Sequence, residues 1–269
     1  MRFGYCVNML SLPGSDRSGR EFLPMIAGLS FDYVELPLAQ MMVYDDGNFI
    51  RLFLRQTEEL GIPCRCCNNF FPASIRLTGP AADHNAALGY ADKALARAKR
   101  LGAEKIVFGS SGARNYPIGF SKEAALAQIM DFLTRLEPLC AEYGICIVLE
   151  HLNQMESNLI NTLNEASALR QAINLPHIEN LLDHYHLLLS GCGVEEIRQV
   201  GSHLKHVHIA RILGRSLPQP GDDSCVQETF AALRDIGYDG DISIEAYAPF
   251  NNRTEAIAAS LSYLKKLTH

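Results

Sequence analysis

The sequence predicts an α/β fold, a single (β/α)8 barrel spanning residues 1–269. Three observations predict it. A chain of 269 residues fits either two modest domains or one barrel, and the count of repeats decides between them. Short β-branched runs alternate with longer amphipathic segments from end to end. No Pro/Gly/Ser-rich linker or low-complexity segment divides the chain. With 48% hydrophobic and 20% charged residues, the composition is that of a globular chain able to bury a large core. A doubly wound open sheet would also alternate strand and helix, but the first strand is followed by Leu12-Pro13-Gly14-Ser15-Asp16 rather than a Gly-x-Gly-x-x-Gly turn.

The elements follow in order. Phe3 to Asn8 reads as a strand and Arg20 to Gly28 as a helix. Asp32 to Leu36 is the next strand, followed by a helix over Asn48 to Leu60 that stops at Gly61, a suitable left-handed terminator. Pro63 to Asn68 is the third strand. Ala81 to Leu101, rich in Ala, Lys and Arg, predicts a helix ended by Gly102, and Lys105 to Gly109 a strand. Ser121 caps a helix running to Tyr143, with Gly144 after it, and Ile145 to Glu150 is apolar enough for a parallel strand covered on both faces. The sixth unit places a helix at Leu163 to Ile173 and a strand at Ile178 to Asp183; the seventh, a helix at Val194 to Val200 and a strand at Lys205 to Ile209. A polar loop over Ala210 to Asp223 leads to a helix at Cys225 to Ile236, the strand Asp241 to Glu245 and a final helix at Thr254 to Leu267.

Charge narrows the partners. Against 24 Lys+Arg stand 30 Asp+Glu, giving −6 and a pI near 5.8, so no cationic field attracts a phosphate backbone and nucleic acid is not expected as a partner. No run approaches the roughly 18 apolar residues of a membrane span, so no membrane partner is expected either. The apolar start, Phe3, Tyr5 and Val7, is interrupted at Asn8, Ser11 and Pro13 before signal-peptide length, which predicts a cytoplasmic protein. Its eight cysteines are accordingly read as thiols, with Cys64, Cys66 and Cys67 as small buried hydrophobes of a strand.

In a barrel the active site lies at the carboxyl ends of the strands. Four strands finish on residues able to bind metal or move protons: the fifth on Glu150, the sixth on Asp183, the seventh on His208 and the eighth on Glu245. Period-two alternation sets Cys146, Val148 and Glu150 on one face of the fifth strand, opposite Ile145, Ile147 and Leu149, and sets Ser243 and Glu245 opposite Ile242 and Ile244. The smaller face is expected to point inward. Three carboxylates and an imidazole at one mouth repel unless neutralised, and one divalent cation does so: Mn²⁺, Co²⁺, Zn²⁺ and Mg²⁺ all suit these donors, and the residues do not select among them. A lone strand-end acid is more often a cap, and His206, one layer deeper than His208, fits packing as well as ligation.

At these residues the sequence resembles the sugar phosphate isomerase/epimerase superfamily with its xylose isomerase-like TIM barrel, and most of all the ketose 3-epimerases such as D-tagatose and D-psicose 3-epimerase. The resemblance covers the whole chain. That family's Glu-x-x-Asn-Arg-x-Glu is here Glu150-His151-Leu152-Asn153-Gln154-Met155-Glu156, its Asp-x-x-His is Asp183-His184-Tyr185-His186, its His-Val-His is His206-Val207-His208, and its Ile-Glu is Ile244-Glu245. The resemblance implies that Glu150, Asp183, His208 and Glu245 hold one catalytic metal. It also implies that Glu150 and Glu245 double as the acid/base pair, and that Glu156 and His186 touch substrate hydroxyls. Gln154 replaces the family's usual Arg. Gly214 stands six residues after His208, where the family has an Arg, which leaves Arg211 or Arg215 to reach a substrate oxygen or phosphate.

Such a site suits proton abstraction beside a ketose carbonyl, with the cation stabilising the enediolate while one carboxylate removes the proton and the other returns it. Return at the same carbon from the opposite face is epimerisation; return at the neighbouring carbon is aldose-ketose isomerisation. The substrate is then a small-molecule sugar or sugar phosphate, and a homo-oligomer is a possible assembly. Keto-inositol dehydration within the superfamily and a non-catalytic carbohydrate- or metal-binding barrel are the other readings. An endonuclease IV-like three-metal nuclease is disfavoured, because the third and fourth strands end on Asn68-Asn69 and Gly109-Ser110 without a His.

Overall fold

The computed structural model describes residues 1–221 and 225–268 and shows a closed barrel of eight parallel strands in sequence order. These are β1 (Arg2–Cys6), β2 (Tyr33–Pro37), β3 (Cys64–Asn68), β4 (Lys105–Phe108), β5 (Cys146–Glu150), β6 (Ile178–Asp183), β7 (Leu204–Ile209) and β8 (Asp241–Ile244). Each strand pairs with the next, and β8 closes on β1 with Ser243 opposite Gly4. Helices cover the outer face, so apolar side chains from both layers form one continuous shell around the barrel.

Inside, a separate small cluster of Cys66, Val107, Val148 and Leu181, with Cys146 against it, fills part of the lumen. The inward face of β5 is therefore the small one, as the alternation predicts. Cys64, Cys66 and Cys67 are all buried and all eight cysteines are free.

Helix starts depart from the sequence reading where a polar cap intervenes. Asp83 accepts from the Ala86 amide and so starts the helix at His84, three residues after Ala81. Asp45 caps a helix that begins at Asp46, two residues ahead of the reading, and continues through a π-turn at Ile50–Leu54 to Leu60. Ser121, Gly61, Gly102 and Gly144 occupy their predicted cap positions. A helix absent from the sequence reading, His184–Leu189, follows β6 directly, with Asp183 as its N-cap. The loop after β7 contains a tight turn at Leu213–Arg215 and a bridge from Ser216 to Tyr247; its predicted end at Asp222 and Asp223 lies outside the described residues. No helix among the described residues is long and apolar enough to cross a membrane.

Candidate functional site

Consecutive strands bring four donors together at the carboxyl end of the barrel. His208 Nδ1 lies 3.3 Å from Glu150 Oε1, 3.0 Å from Glu245 Oε2 and 3.9 Å from Asp183 Oδ2. One donor atom from each of the four residues falls within 4.8 Å of all the others. Atoms that share one divalent ion at about 2.0–2.2 Å stand roughly 3 to 4.4 Å apart, so three hard oxygens and one imidazole at these spacings fit such an ion.

Asp183 divides its carboxylate between two tasks. Oδ1 caps the helix that follows, accepting from the His186 amide at 3.0 Å, while Oδ2 faces the cluster. Burial works to raise its pKa, but His186, Arg215 and His208 outweigh that and hold the carboxyl well below the usual range. Glu150 moves the other way: burial, aided by the charge of Glu245, pushes its carboxyl up, against the hydrogen bond from His208. For His208 burial favours the neutral ring, yet Glu35 and Glu245 hold the imidazole well above its ordinary value.

Arg215 enters this acidic cluster. Its Nη2 is 3.1 Å from Asp183 Oδ2 and also bonds Glu245 Oε2, and its guanidinium lies 4.7 Å from the centre of the Tyr185 ring. Gly214 and Arg215 both take left-handed backbone angles, and the turn they make is pinned where the Tyr247 amide donates to the Arg215 carbonyl at 2.8 Å. Arg211 differs. Its backbone amide bonds Ser216 across the base of the same turn, and its side chain is not among those lining the cavity, so Arg215 alone of the two reaches the site.

The cavity above the cluster holds about 640 Å³ and is walled by Glu150, Glu156, His186, Arg215 and Glu245 on one side and by the loops after β1 to β4 on the other. Asn153 organises that first wall. Its Oδ1 accepts from the amides of Met155 and Glu156, which orients its Nδ2 toward Glu156 Oε1 at 3.1 Å and His186 Nδ1 at 2.8 Å. Since Nδ1 of His186 must accept there, the proton of the neutral ring sits on Nε2, near Asp183 and Glu156. Gln154 is exposed and lines no part of the cavity.

Three residues not expected in the site complete the arrangement. Glu35, fully buried inside β2, meets His208 Nε2 at 2.9 Å and His206 Nε2 at 2.8 Å. Arg114, also fully buried, donates to the carbonyls of Phe108 and Glu150 at 3.0 and 2.7 Å, tying the ends of β4 and β5 together. Gly109 leaves the space that the Glu150 carboxylate fills.

Comparison with known proteins identifies the family of the fold. The Xylose isomerase-like TIM barrel family matches residues 24–267. The chain is 32% identical over 134 residues to L-ribulose 3-epimerase of Methylomonas sp. (strain DH-1), an alignment spanning 49% of this chain and 46% of that protein. It is 23% identical over 239 residues to D-psicose 3-epimerase of Agrobacterium fabrum, covering 84% and 78%. Among the first of these curated relatives, the match spans less than half of their length. Among solved structures, a D-psicose 3-epimerase determined in the presence of D-fructose superposes with a TM-score of 0.87 over 100% of this chain and 99% of that one at 18% identity. D-allulose 3-epimerase from Methylomonas sp. in complex with D-allulose gives 0.84 over 99% and 96% at 22% identity, and both likenesses establish a shared fold. The chain belongs to the Xylose isomerase-like TIM barrel family, and the relatives it matches include sugar epimerases.

Proposed function

We propose that this chain is a divalent-metal-dependent sugar epimerase, acting on a ketose at the carbon beside the carbonyl, with ketose 3-epimerisation as the specific reaction. The observation that carries the reading is the convergence of Glu150, Asp183, His208 and Glu245 beneath a polar cavity, together with relatives named for 3-epimerisation of L-ribulose and D-psicose.

Glu150, Asp183, His208 and Glu245 would hold the ion, manganese by preference. When bound, it would supply positive charge where the substrate's carbonyl oxygen becomes negative. Glu150 and Glu245 stand on β5 and just past β8, with β6 and β7 between them, so a ketose lying across the mouth presents opposite faces to the two carboxylates. One carboxylate takes the proton from C3 and the other delivers a proton to the far face, inverting that carbon. His186 offers Nε2–H and Glu156 an exposed carboxylate to neighbouring hydroxyls, which orients the sugar. Arg215 offsets the repulsion between Asp183 and Glu245 and points its guanidinium at the same mouth.

The test is product analysis. Protein loaded with Mn²⁺ is incubated with D-fructose, D-tagatose and L-ribulose and the products are separated by chromatography. The C3 epimer is expected from at least one ketose, and chelation should abolish it. An aldose as the only product would make the enzyme an isomerase, and no turnover of any sugar would remove the reading.

A further inference from the structure

Glu35 sits inside the barrel, one strand from β1 and across the lumen from β7, in a place where inward side chains of such barrels are usually branched and apolar. It is fully buried, and so are all the groups it touches. Oε1 faces His208 Nε2 at 2.9 Å; Oε2 faces His206 Nε2 at 2.8 Å and Ser243 Oγ at 2.6 Å. The direction of each hydrogen bond follows from counting protons. An ionised carboxylate only accepts. The single Ser243 hydroxyl hydrogen therefore goes to Glu35, and the Tyr33 hydroxyl, 2.9 Å from Ser243 Oγ, must donate to it. Both histidines present Nε2–H to the same carboxylate.

The chain Tyr33 to Ser243 to Glu35 thus ends on the back of His208, and the barrel makes room for it. A Cβ at Gly4 would stand 2.2 Å from the Tyr33 ring, so glycine at that position is what lets the phenol lie in the lumen. The register confirms the placement, since Gly4 pairs with both Tyr33 and Ser243.

We infer that Glu35 is the positioning residue of the metal centre: by accepting the Nε2 hydrogen of His208 it fixes that ring's orientation, so that Nδ1 faces Glu150, Asp183 and Glu245 and gives up its own hydrogen when an ion binds among them. A carboxylate behind a ligating imidazole also strengthens the ring as a donor, and loss of such a partner costs about 10- to 100-fold in metal affinity. His206 has a different part. Its Nε2 shares the Glu35 carboxylate and so helps hold it, and His206 is not one of the four donors that converge at the mouth.

This inference rests on the metal-centre reading, and the two can be separated. Metal-free protein and its Glu35→Gln variant are titrated with Mn²⁺ in a calorimeter, and the Zn²⁺-loaded wild type is labelled with ¹⁵N in its imidazoles and read by NMR. Wild type should bind one ion, and Glu35→Gln, whose amide puts a donor where an acceptor is needed, should bind it at least 10-fold more weakly. In the Zn²⁺-loaded protein the His208 Nε2 proton should resonate far downfield, as an N–H held by a carboxylate does. Because the NMR arm needs no variant, it decides the matter even if Glu35→Gln does not fold. A variant that binds within twofold of wild type, or a His208 Nε2 proton in the loaded protein without the downfield shift of a carboxylate-bonded N–H, overturns the role of Glu35 and leaves the metal centre standing. A wild type that binds no ion overturns both.

Discussion

Gly109 and Glu150 meet at the ends of β4 and β5 so closely that a Cβ on residue 109 would stand 1.9 Å from Glu150 Oε2. The colliding atom is the end of a flexible side chain, and Gly109 does not adopt a left-handed backbone conformation, so an added methyl displaces the carboxylate without straining the fold. Gly109→Ala should therefore keep its melting temperature within a few degrees of wild type while turnover falls about 10²-fold, the scale of a misplaced catalytic group. Melting curves and initial rates on the same preparation check this; equal rates would mean that Glu150 tolerates displacement.

Arg215 carries the positive charge that the acidic mouth needs in the metal-free protein, through Asp183 Oδ2 and Glu245 Oε2. Removing it leaves three carboxylates close together with less to balance them. Metal-free Arg215→Ala should melt about 5 °C lower, corresponding to a loss on the order of 2 kcal/mol for a chain of this size. Saturating Mn²⁺ should then raise the melting temperature of the variant by more than that of wild type, because the ion replaces the missing charge. Calorimetric melts with and without Mn²⁺ measure both changes, and an equal increment in the two proteins would contradict the balancing role.

The opposite end of the barrel is closed by an ion-pair network around Asp241. Its buried carboxylate meets Lys105, Arg2 Nε at 2.6 Å and Arg65 Nε at 3.4 Å. Burial opposes ionisation, yet Lys105 and Arg2 bring the carboxyl down to about 2. A depressed carboxyl contributes stability that is fully present above its unfolded value near 4 and is lost as pH falls through about 2. Asp241→Asn, which strands Lys105, should cost about 3 kcal/mol at pH 7, and the gap from wild type should close between about pH 4 and pH 2. Thermal melts across that range test the sign; a gap that widens in acid would refute it.

The fold was legible because each unit carries its own punctuation. Gly61, Gly102 and Gly144 end helices in left-handed conformations, and Ser121 begins one, where a reader of the sequence would put them. The four donors were legible because each lies at the end of a strand, where alternation alone says which way it points. Asp183 shows why the choice between cap and ligand was unnecessary, since one oxygen caps the next helix and the other faces the cluster. Glu35 left a signal that went unread: a lone charge at an inward position of Tyr33-Val34-Glu35-Leu36-Pro37, a strand otherwise without charge. Arg114 left none. It ends a single helical turn, Ser111–Arg114, too short to show a period, and only the folded chain brings its guanidinium to the carbonyls of Phe108 and Glu150.

Solvent-isotope incorporation tests the central claim, that Glu150 and Glu245 move a proton beside a ketose carbonyl, most directly. Mn²⁺-loaded protein is incubated with ketoses in D₂O and deuterium at that carbon is read by NMR and mass spectrometry. Wild type should incorporate deuterium into at least one sugar, and Glu150→Gln and Glu245→Gln should each slow incorporation by about 10²- to 10⁴-fold. No incorporation into any sugar, or incorporation undiminished in both variants, would contradict it.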